Sequence, residues 1–187
     1  MSHAHALVRR SRVLCVLAAL VVLLPAMTTA PSPASAASPD VPVGHYGSLD
    51  DLQEVTPMAT SPVITAGSCK YQQVTDNVHF SATGFAASAH GWWKKSSGTC
   101  PSKANVDAQL QAVWCGSGPC QWRTVDSNSD DVYSGGGSAN RVAVRENCSG
   151  SKTTGYRIRV DVDLIGVSDP SGWTNSAGVD LACYPSS

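Results

Sequence analysis

The sequence predicts an all-β protein, a single-domain antiparallel β-sandwich of about seven strands held by three disulfides. Three observations favour this fold. Apolar and polar residues alternate with period two along much of residues 63–187, six cysteines are spread over the same region, and turns rich in glycine and proline separate the alternating runs. A small closed β-barrel is the alternative, because alternation also suits a sheet that closes on itself.

The first 36 residues have the pattern of a secretory signal peptide. Arginines 9, 10 and 12 precede an apolar run of 12 residues from Val13 to Leu24, and Ala34-Ser35-Ala36 forms a small-x-small cleavage site. The run is too short to span a bilayer, which requires about 20 residues. We therefore expect a secreted, extracellular protein without membrane insertion, and we expect Cys15 to be removed with the signal.

Residues 37–62 are predicted to form a proline-rich N-terminal extension or linker, because they contain four prolines and no alternating run. A removable pro-segment is the alternative. Ser48 and Asp51 match a capping box, so we expect a helix of about two turns that ends before Pro57. The stapled β domain is expected to cover residues 63–187.

The strongest strand pattern lies between Cys100 and Cys115. Six apolar residues alternate there with four polar ones: Ala104, Val106, Ala108, Leu110, Ala112 and Trp114 against Asn105, Asp107, Gln109 and Gln111. Such a pattern predicts a strand with one buried and one wet face. Gly116, Ser117, Gly118 and Pro119 then break the strand, and Trp122 begins a returning one. We expect a hairpin clamped at its neck by Cys115–Cys120.

The even number of cysteines after the signal indicates three disulfides in an exported chain. Besides Cys115–Cys120, we expect Cys69–Cys100 and Cys148–Cys183, because pairs that are neighbours in sequence close easily around hairpins. No two cysteines have the C-x2-C spacing of a zinc site, and no histidine lies near them in sequence. We therefore predict no metal and no cofactor.

A polar segment follows the hairpin and is predicted to be a long loop from Asp126 to Ser138. Its acids are spaced as in calcium-binding loops. However, the sixth position is Asp131 rather than glycine and the twelfth is Gly137 rather than glutamate. A solvated turn is the favoured interpretation.

Charge and motifs exclude several classes of function. From Val63 onward the chain has ten basic and ten acidic side chains, without a basic stripe, so we expect no nucleic-acid partner.

Nucleophile and phosphate-loop motifs are absent from the sequence, and an enzyme is the least favoured class. If it is a small secreted hydrolase, its candidate residues are Asp161, Asp163 and His90. Charge pairing of the two aspartates with Arg157 and Arg159 is the simpler explanation.

Tryptophans supply the candidate binding residues. Trp92 and Trp93 point to opposite faces of one strand, so at most one faces the core, and Trp122 flanks the clamped turn. We therefore predict a monomeric, non-catalytic binding module whose extracellular ligand, a polysaccharide or a protein, contacts Trp92, Trp93 or Trp122. The alternative is an extracellular inhibitor of a hydrolase or protease that presents the rigid loop 116–119.

Overall fold

The structure, a computed structural model, describes residues 44–52 and 59–187 and confirms the antiparallel β-sandwich. The predicted signal peptide and Cys15 lie outside the described residues. The strands are β1 His45–Tyr46, β2 Ile64–Ala66, β3 Cys69–Thr75, β4 His79–Phe80, β5 Ala86–Gly98, β6 Lys103–Cys115, β7 Gln121–Tyr133, β8 Val142–Gly150, β9 Thr154–Leu164, β10 Thr174–Asn175, β11 Val179–Leu181 and β12 Tyr184–Pro185. Leu49–Asp51 forms a 3-10 turn.

Sheet 1 is built around the long strand β6. β7 pairs with one edge of β6 and β9 with the other. β1 pairs with the last residues of β6, where His45 lies opposite Cys115. β10 and β11 both pair with β9, so this sheet contains six of the strands that the structure describes.

Sheet 2 has the strand order β12-β8-β5-β3-β2, with β4 also paired to β5. All pairs between its neighbouring strands are antiparallel. Among the described residues, no strand of one sheet pairs with a strand of the other, so the sandwich is correct and the closed barrel is not.

The core lies between the inner faces of the two sheets. The alternation predicted for β6 is confirmed, because Ala104, Val106, Ala108, Leu110 and Ala112 are all buried. Opposite them, β5 contributes small residues, and a Cβ atom added at Gly91 would lie only 2.3 Å from Cγ2 of Val160 on β9. Glycine at this position therefore lets the backbone of one sheet approach the branched side chains of the other.

The three disulfides join the cysteines in the predicted pairs. Cys69–Cys100 spans 31 residues, Cys148–Cys183 spans 35, and Cys115–Cys120 closes the β6–β7 hairpin across 5. The first two connect segments that are distant along the chain. Disulfides of this kind fit an oxidising compartment.

The segment from Asp126 to Asp131 is part of strand β7, so the prediction of a long loop beginning at Asp126 is wrong. Its polar residues suit a strand because β7 lies at the edge of sheet 1. On its inner side, the Asn128 amide donates to the Ala143 carbonyl at 3.0 Å, and the Asp126 carboxylate accepts from the Arg145 amide at 2.7 Å. These side chains cover the free backbone groups of β8, which edge strands otherwise expose.

Residues 44–52, which belong to the predicted extension, contact sheet 1 directly. The Tyr46 ring is 2% exposed and its centroid lies 5.0 Å from that of Trp114. The predicted capping box is confirmed: the Ser48 amide donates to the Asp51 carboxylate at 2.8 Å. The described part of the predicted helix is the single 3-10 turn, and residues 53–58 lie outside the described residues.

None of the described helices is long and apolar enough to span a membrane.

Candidate ligand-binding face

The outer face of sheet 1 carries its polar side chains in rows that cross three strands. Residues that pair directly across antiparallel strands point to the same face, so the register defines each row. From one end to the other, the rows are Gln111, Thr124 and Arg157; Gln109, Ser127 and Arg159; Asp107, Ser129 and Asp161; and Asn105, Asp131 and Asp163. Neighbouring rows are about 7 Å apart, because two residues of a strand separate them.

Arg159 is held by two contacts on this face. Its Nε and Nη2 atoms donate to Oε1 of Gln109 at 2.9 and 2.6 Å. Its guanidinium carbon lies 4.4 Å from the centroid of the Trp173 ring, which is cation–π geometry. The side chain is partly buried, so the stacked pair has a fixed orientation.

Arg157 repeats the arrangement in the next row. Its Nε donates to Oε1 of Gln111 at 2.8 Å, and its guanidinium lies 4.5 Å from the Trp122 ring. Thr124 links the two rows, since its hydroxyl donates to Gln109 at 3.1 Å and accepts from Gln111 Nε2 at 3.3 Å. The two glutamines and two arginines therefore belong to one hydrogen-bonded network.

Trp173 borders a groove of about 440 Å³ on this face. The groove is lined by Asp107, Ala108, Gln109, Ser127, Asn128, Ser129 and Trp173. The Trp173 side chain is 38% exposed. Its loop is fixed beside β9 because the Gly172 amide donates to the Asp161 carboxylate at 3.3 Å. An exposed indole therefore lies over a floor of hydroxyl, amide and carboxylate groups.

The other two rows are acidic. Asp107 lies directly opposite Asp161, and Asp163 follows in the next row. Partial burial, and then the neighbouring charges of Asp161, Asp169 and Asp107, raise the pKa of the Asp163 carboxyl above its ordinary value. The face thus carries arginines at one end and carboxylates at the other.

Neither of the predicted binding residues Trp92 and Trp93 is fully exposed: Trp92 is half-buried and Trp93 is buried. Trp93 points into the core, is fully buried and donates through Nε1 to the Val132 carbonyl at 3.0 Å. Trp92 lies on the outer face of sheet 2, where Gly136 rests against its indole; a Cβ atom added there would lie 2.4 Å from Nε1. This buried Nε1 has no hydrogen-bond partner within residues 44–52 and 59–187. Of the three predicted tryptophans, Trp122 lies on the outer face of sheet 1.

The Cys115–Cys120 turn lies at the end of the same sheet. Gly116, Ser117, Gly118 and Pro119 are all exposed. Beside the turn, the Arg123 guanidinium lies 4.6 Å from the Trp114 ring, and Trp114 also contacts Tyr46. The exposed residues 116–119 therefore project from a hairpin end that is packed by Trp114, Tyr46 and Arg123.

The candidate catalytic residues do not form one site. Asp161 and Asp163 lie on the outer face of sheet 1, and Asp161 accepts hydrogen bonds from Gln73 Nε2 at 3.3 Å and from two backbone amides. His90 lies on β5 of the other sheet, where its Nδ1 is 2.7 Å from a carboxylate oxygen of Asp76. Among the described residues, no group of three or more His, Cys, Asp or Glu side chains is placed to hold a metal ion.

Sequence reasoning missed Trp173, Arg159 and Gln109. The signal was present as two polar patterns of period two, Gln109-x-Gln111 on one strand and Arg157-x-Arg159 on another. Their cross-strand register joins them, and register is not readable from either strand alone.

A scan against protein-family models and a search of curated proteins both find no match to this chain.

Proposed function

We propose that this protein is a secreted, non-catalytic binding module for polysaccharides and that the ligand binds the outer face of sheet 1. The observation that carries the proposal is the groove beneath Trp173. It combines an exposed aromatic ring, fixed by Arg159, with hydrogen-bonding side chains from two strands. Ligand sites commonly join apolar surface with a few well-placed polar groups.

Sugar chemistry matches these groups. One side of a pyranose ring presents C–H groups that stack on an indole, and its edge presents hydroxyl groups that donate and accept hydrogen bonds. Gln109, Ser127 and Ser129 supply both donors and acceptors. These side chains stand on strands, so little conformational entropy is lost when a ligand binds.

Export is supported by two features of the chain. The three disulfides are typical of oxidising compartments, and residues 1–36 have the composition of a secretory signal. An extracellular location gives the module access to cell-surface and environmental polysaccharides.

Affinity electrophoresis in gels that contain soluble polysaccharides, followed by titration calorimetry of the retarding ones, tests the proposal. Trp173→Ala is expected to weaken binding at least tenfold, about 1.4 kcal/mol, because the stacking surface is lost. Trp122→Ala should weaken it less, since Trp122 lies outside the groove. Trp92→Phe is the matched control and should bind as the parent protein does, because Trp92 lies on the outer face of sheet 2, away from the groove.

Two results would contradict the proposal. One is the absence of retardation by every polysaccharide in the panel. The other is binding that Trp92→Phe abolishes and Trp173→Ala leaves intact, which would move the site to sheet 2.

Inhibition of an extracellular protease is a second candidate function, favoured by the four exposed residues held between Cys115 and Cys120. A rigid loop binds with a small ordering cost. Secreted proteases would be assayed with the parent protein and with Ser117→Ala and Pro119→Ala variants. Inhibition that either substitution weakens would support this candidate, whereas no inhibition of any protease would remove it.

A further inference from the structure

Arg159 keeps part of its hydrogen-bonding capacity unused. Nε and Nη2 both donate to the Gln109 side chain, and one face of the guanidinium covers Trp173. Its Nη1 atom has no hydrogen-bond partner within the described ranges 44–52 and 59–187. A guanidinium has five N–H donors, so an acceptor from a ligand can still bind it.

The positive charge of Arg159 is also uncompensated. Within the same described ranges Arg159 forms no ion pair, and its partner Gln109 is a neutral amide. The closest row of carboxylates, that of Asp107 and Asp161, begins about 7 Å along the strands. A partly buried cation without an anionic partner favours the binding of an anion.

A guanidinium is well suited to bind a carboxylate, because its planar N–H donors form charge-assisted hydrogen bonds with the carboxylate oxygens. The contacts with Gln109 and Trp173 hold the Arg159 guanidinium in one orientation, so its remaining donors are already positioned for such an anion.

The acidic rows limit which anions fit. Beyond Gln109 the face carries Asp107 and Asp161, followed by Asp131 and Asp163. These carboxylates repel a polymer that carries a charge on every unit, and they accept hydrogen bonds from neutral hydroxyl groups. The ligand therefore needs an acid group at one end of the face and uncharged sugar at the other.

We propose that the ligand is a carboxylated polysaccharide in which acidic sugars are separated by neutral ones. The acid group binds at Arg159, a ring stacks on Trp173, and neutral hydroxyl groups bind at the row of Asp107 and Ser129. This inference rests on the proposed function and specifies the class of its ligand.

A glycan array of matched pairs tests the inference. Each pair contains an oligosaccharide with a single uronic acid and the same oligosaccharide after reduction of its carboxyl group to an alcohol. The acidic member is expected to bind at least tenfold more tightly at low ionic strength. This preference should shrink towards onefold at about 0.5 M salt, where charge interactions are screened.

Three outcomes would count against the inference, and they are distinguishable. Absence of binding to every glycan overturns the proposed function together with the inference. Equal binding of acidic and reduced members overturns the inference and leaves the binding module intact. Tighter binding of polygalacturonate, which is charged on every sugar, contradicts the role given to the acidic rows.

Substitutions at Arg159 test whether this residue causes the preference for acidic over neutral glycans. Arg159→Gln should reduce the ratio of acidic to neutral binding from at least tenfold to about onefold, whereas Arg159→Lys should retain part of it. Arg145→Gln is the matched control, because Arg145 lies on sheet 2 and donates to Asn147 and Thr83 there. A ratio that Arg159→Gln leaves unchanged in a folded protein would overturn the assignment.

Discussion

The tryptophans on the outer faces of the two sheets differ in their surroundings and in their exposure to solvent. On sheet 1, Trp122 and Trp173 lie against arginines of β9, and the Trp173 ring borders the open groove. On sheet 2, Trp92 lies under the glycine-rich turn that follows β7. Trp173 on sheet 1 is thus exposed, whereas Trp92 on sheet 2 is half-buried.

The difference arises from what lies next to each strand. Beyond Gly91, β5 no longer pairs with β8, and the turn takes its place: the Gly135 amide donates to the Trp93 carbonyl at 3.0 Å. Position 136 is a glycine with φ of +77°, so its backbone can lie on the Trp92 indole. Whether a strand tryptophan is available to a ligand is therefore decided by residues distant in sequence.

The sharpest contrast between tryptophans is between Trp93 and Trp173. Trp93→Ala is expected to cost about 3–5 kcal/mol, because a fully buried ring is lost and the Val132 carbonyl loses its donor. Trp173→Ala should cost about 1 kcal/mol or less, since it removes a half-exposed cation–π contact. Urea unfolding of both variants measures the difference. Similar losses of stability would mean that Trp173 is structural and not a surface for ligands.

The hairpin clamp provides the next test, because it lies at the end of sheet 1 beside Trp122. Replacing Cys115 and Cys120 together by serine should lower the unfolding free energy by about 2 kcal/mol, as expected for so short a loop. Polysaccharide binding should change little, because Arg157 rather than the disulfide holds Trp122. Unfolding curves and calorimetric titration of the double variant give both values. A loss of binding as large as that of Trp173→Ala would show that the clamp positions the site.

Much of the fold could be predicted from the sequence, because local patterns determined it. The buried residues of β6 follow their alternation, and the three disulfides join neighbouring pairs of cysteines. The strand from Asp126 to Asp131 could not be predicted this way. Its polar inner residues form hydrogen bonds with the backbone of β8, a partner that only the tertiary structure supplies.

The candidate face was less accessible to prediction. Arg159 and Asp161 were expected to form charge pairs within a wet strand surface, yet Arg159 donates to Gln109, which lies 50 residues away in the chain. Trp173 belongs to a loop without any periodic pattern, and only its position beside β9 gives it a role. The sequence instead suggested the strand tryptophans Trp92 and Trp93, of which Trp93 is buried and Trp92 is half-buried against Gly136.

The contact between Gly136 and the Trp92 indole can be changed by a substitution that leaves sheet 1 intact. Gly136→Ala should lower stability by about 1–2 kcal/mol, because a left-handed backbone disfavours a Cβ atom, and should displace the indole as well. Fluorine NMR of protein labelled with 5-fluorotryptophan follows each indole separately. Only the Trp92 signal should shift strongly.

Gly135→Ala is the matched control for this variant. Position 135 also has a positive φ, +132°, but a Cβ atom there would meet nothing within 4 Å. It should therefore lose stability without moving the Trp92 signal. Equal shifts in both variants would mean that the whole turn, rather than contact at Gly136, determines the environment of Trp92.

The smallest expected effect concerns the acidic end of sheet 1. Because burial and neighbouring carboxylates raise the pKa of Asp163, ionisation of this group is less favourable in the folded protein than in the unfolded chain. Its ionisation therefore removes stability as pH rises from the ordinary value of 3.8 through the higher folded value. Asp163→Asn should stabilise the protein above that window, by less than about 0.5 kcal/mol at this exposed position, and should have no effect below it. Thermal unfolding of both proteins between acid and neutral pH measures the difference.

Asp180→Asn, a change of the same type outside the acidic rows, is the control. A stabilisation that persists at the acid end would attribute the effect to the amide and not to relief of charge repulsion.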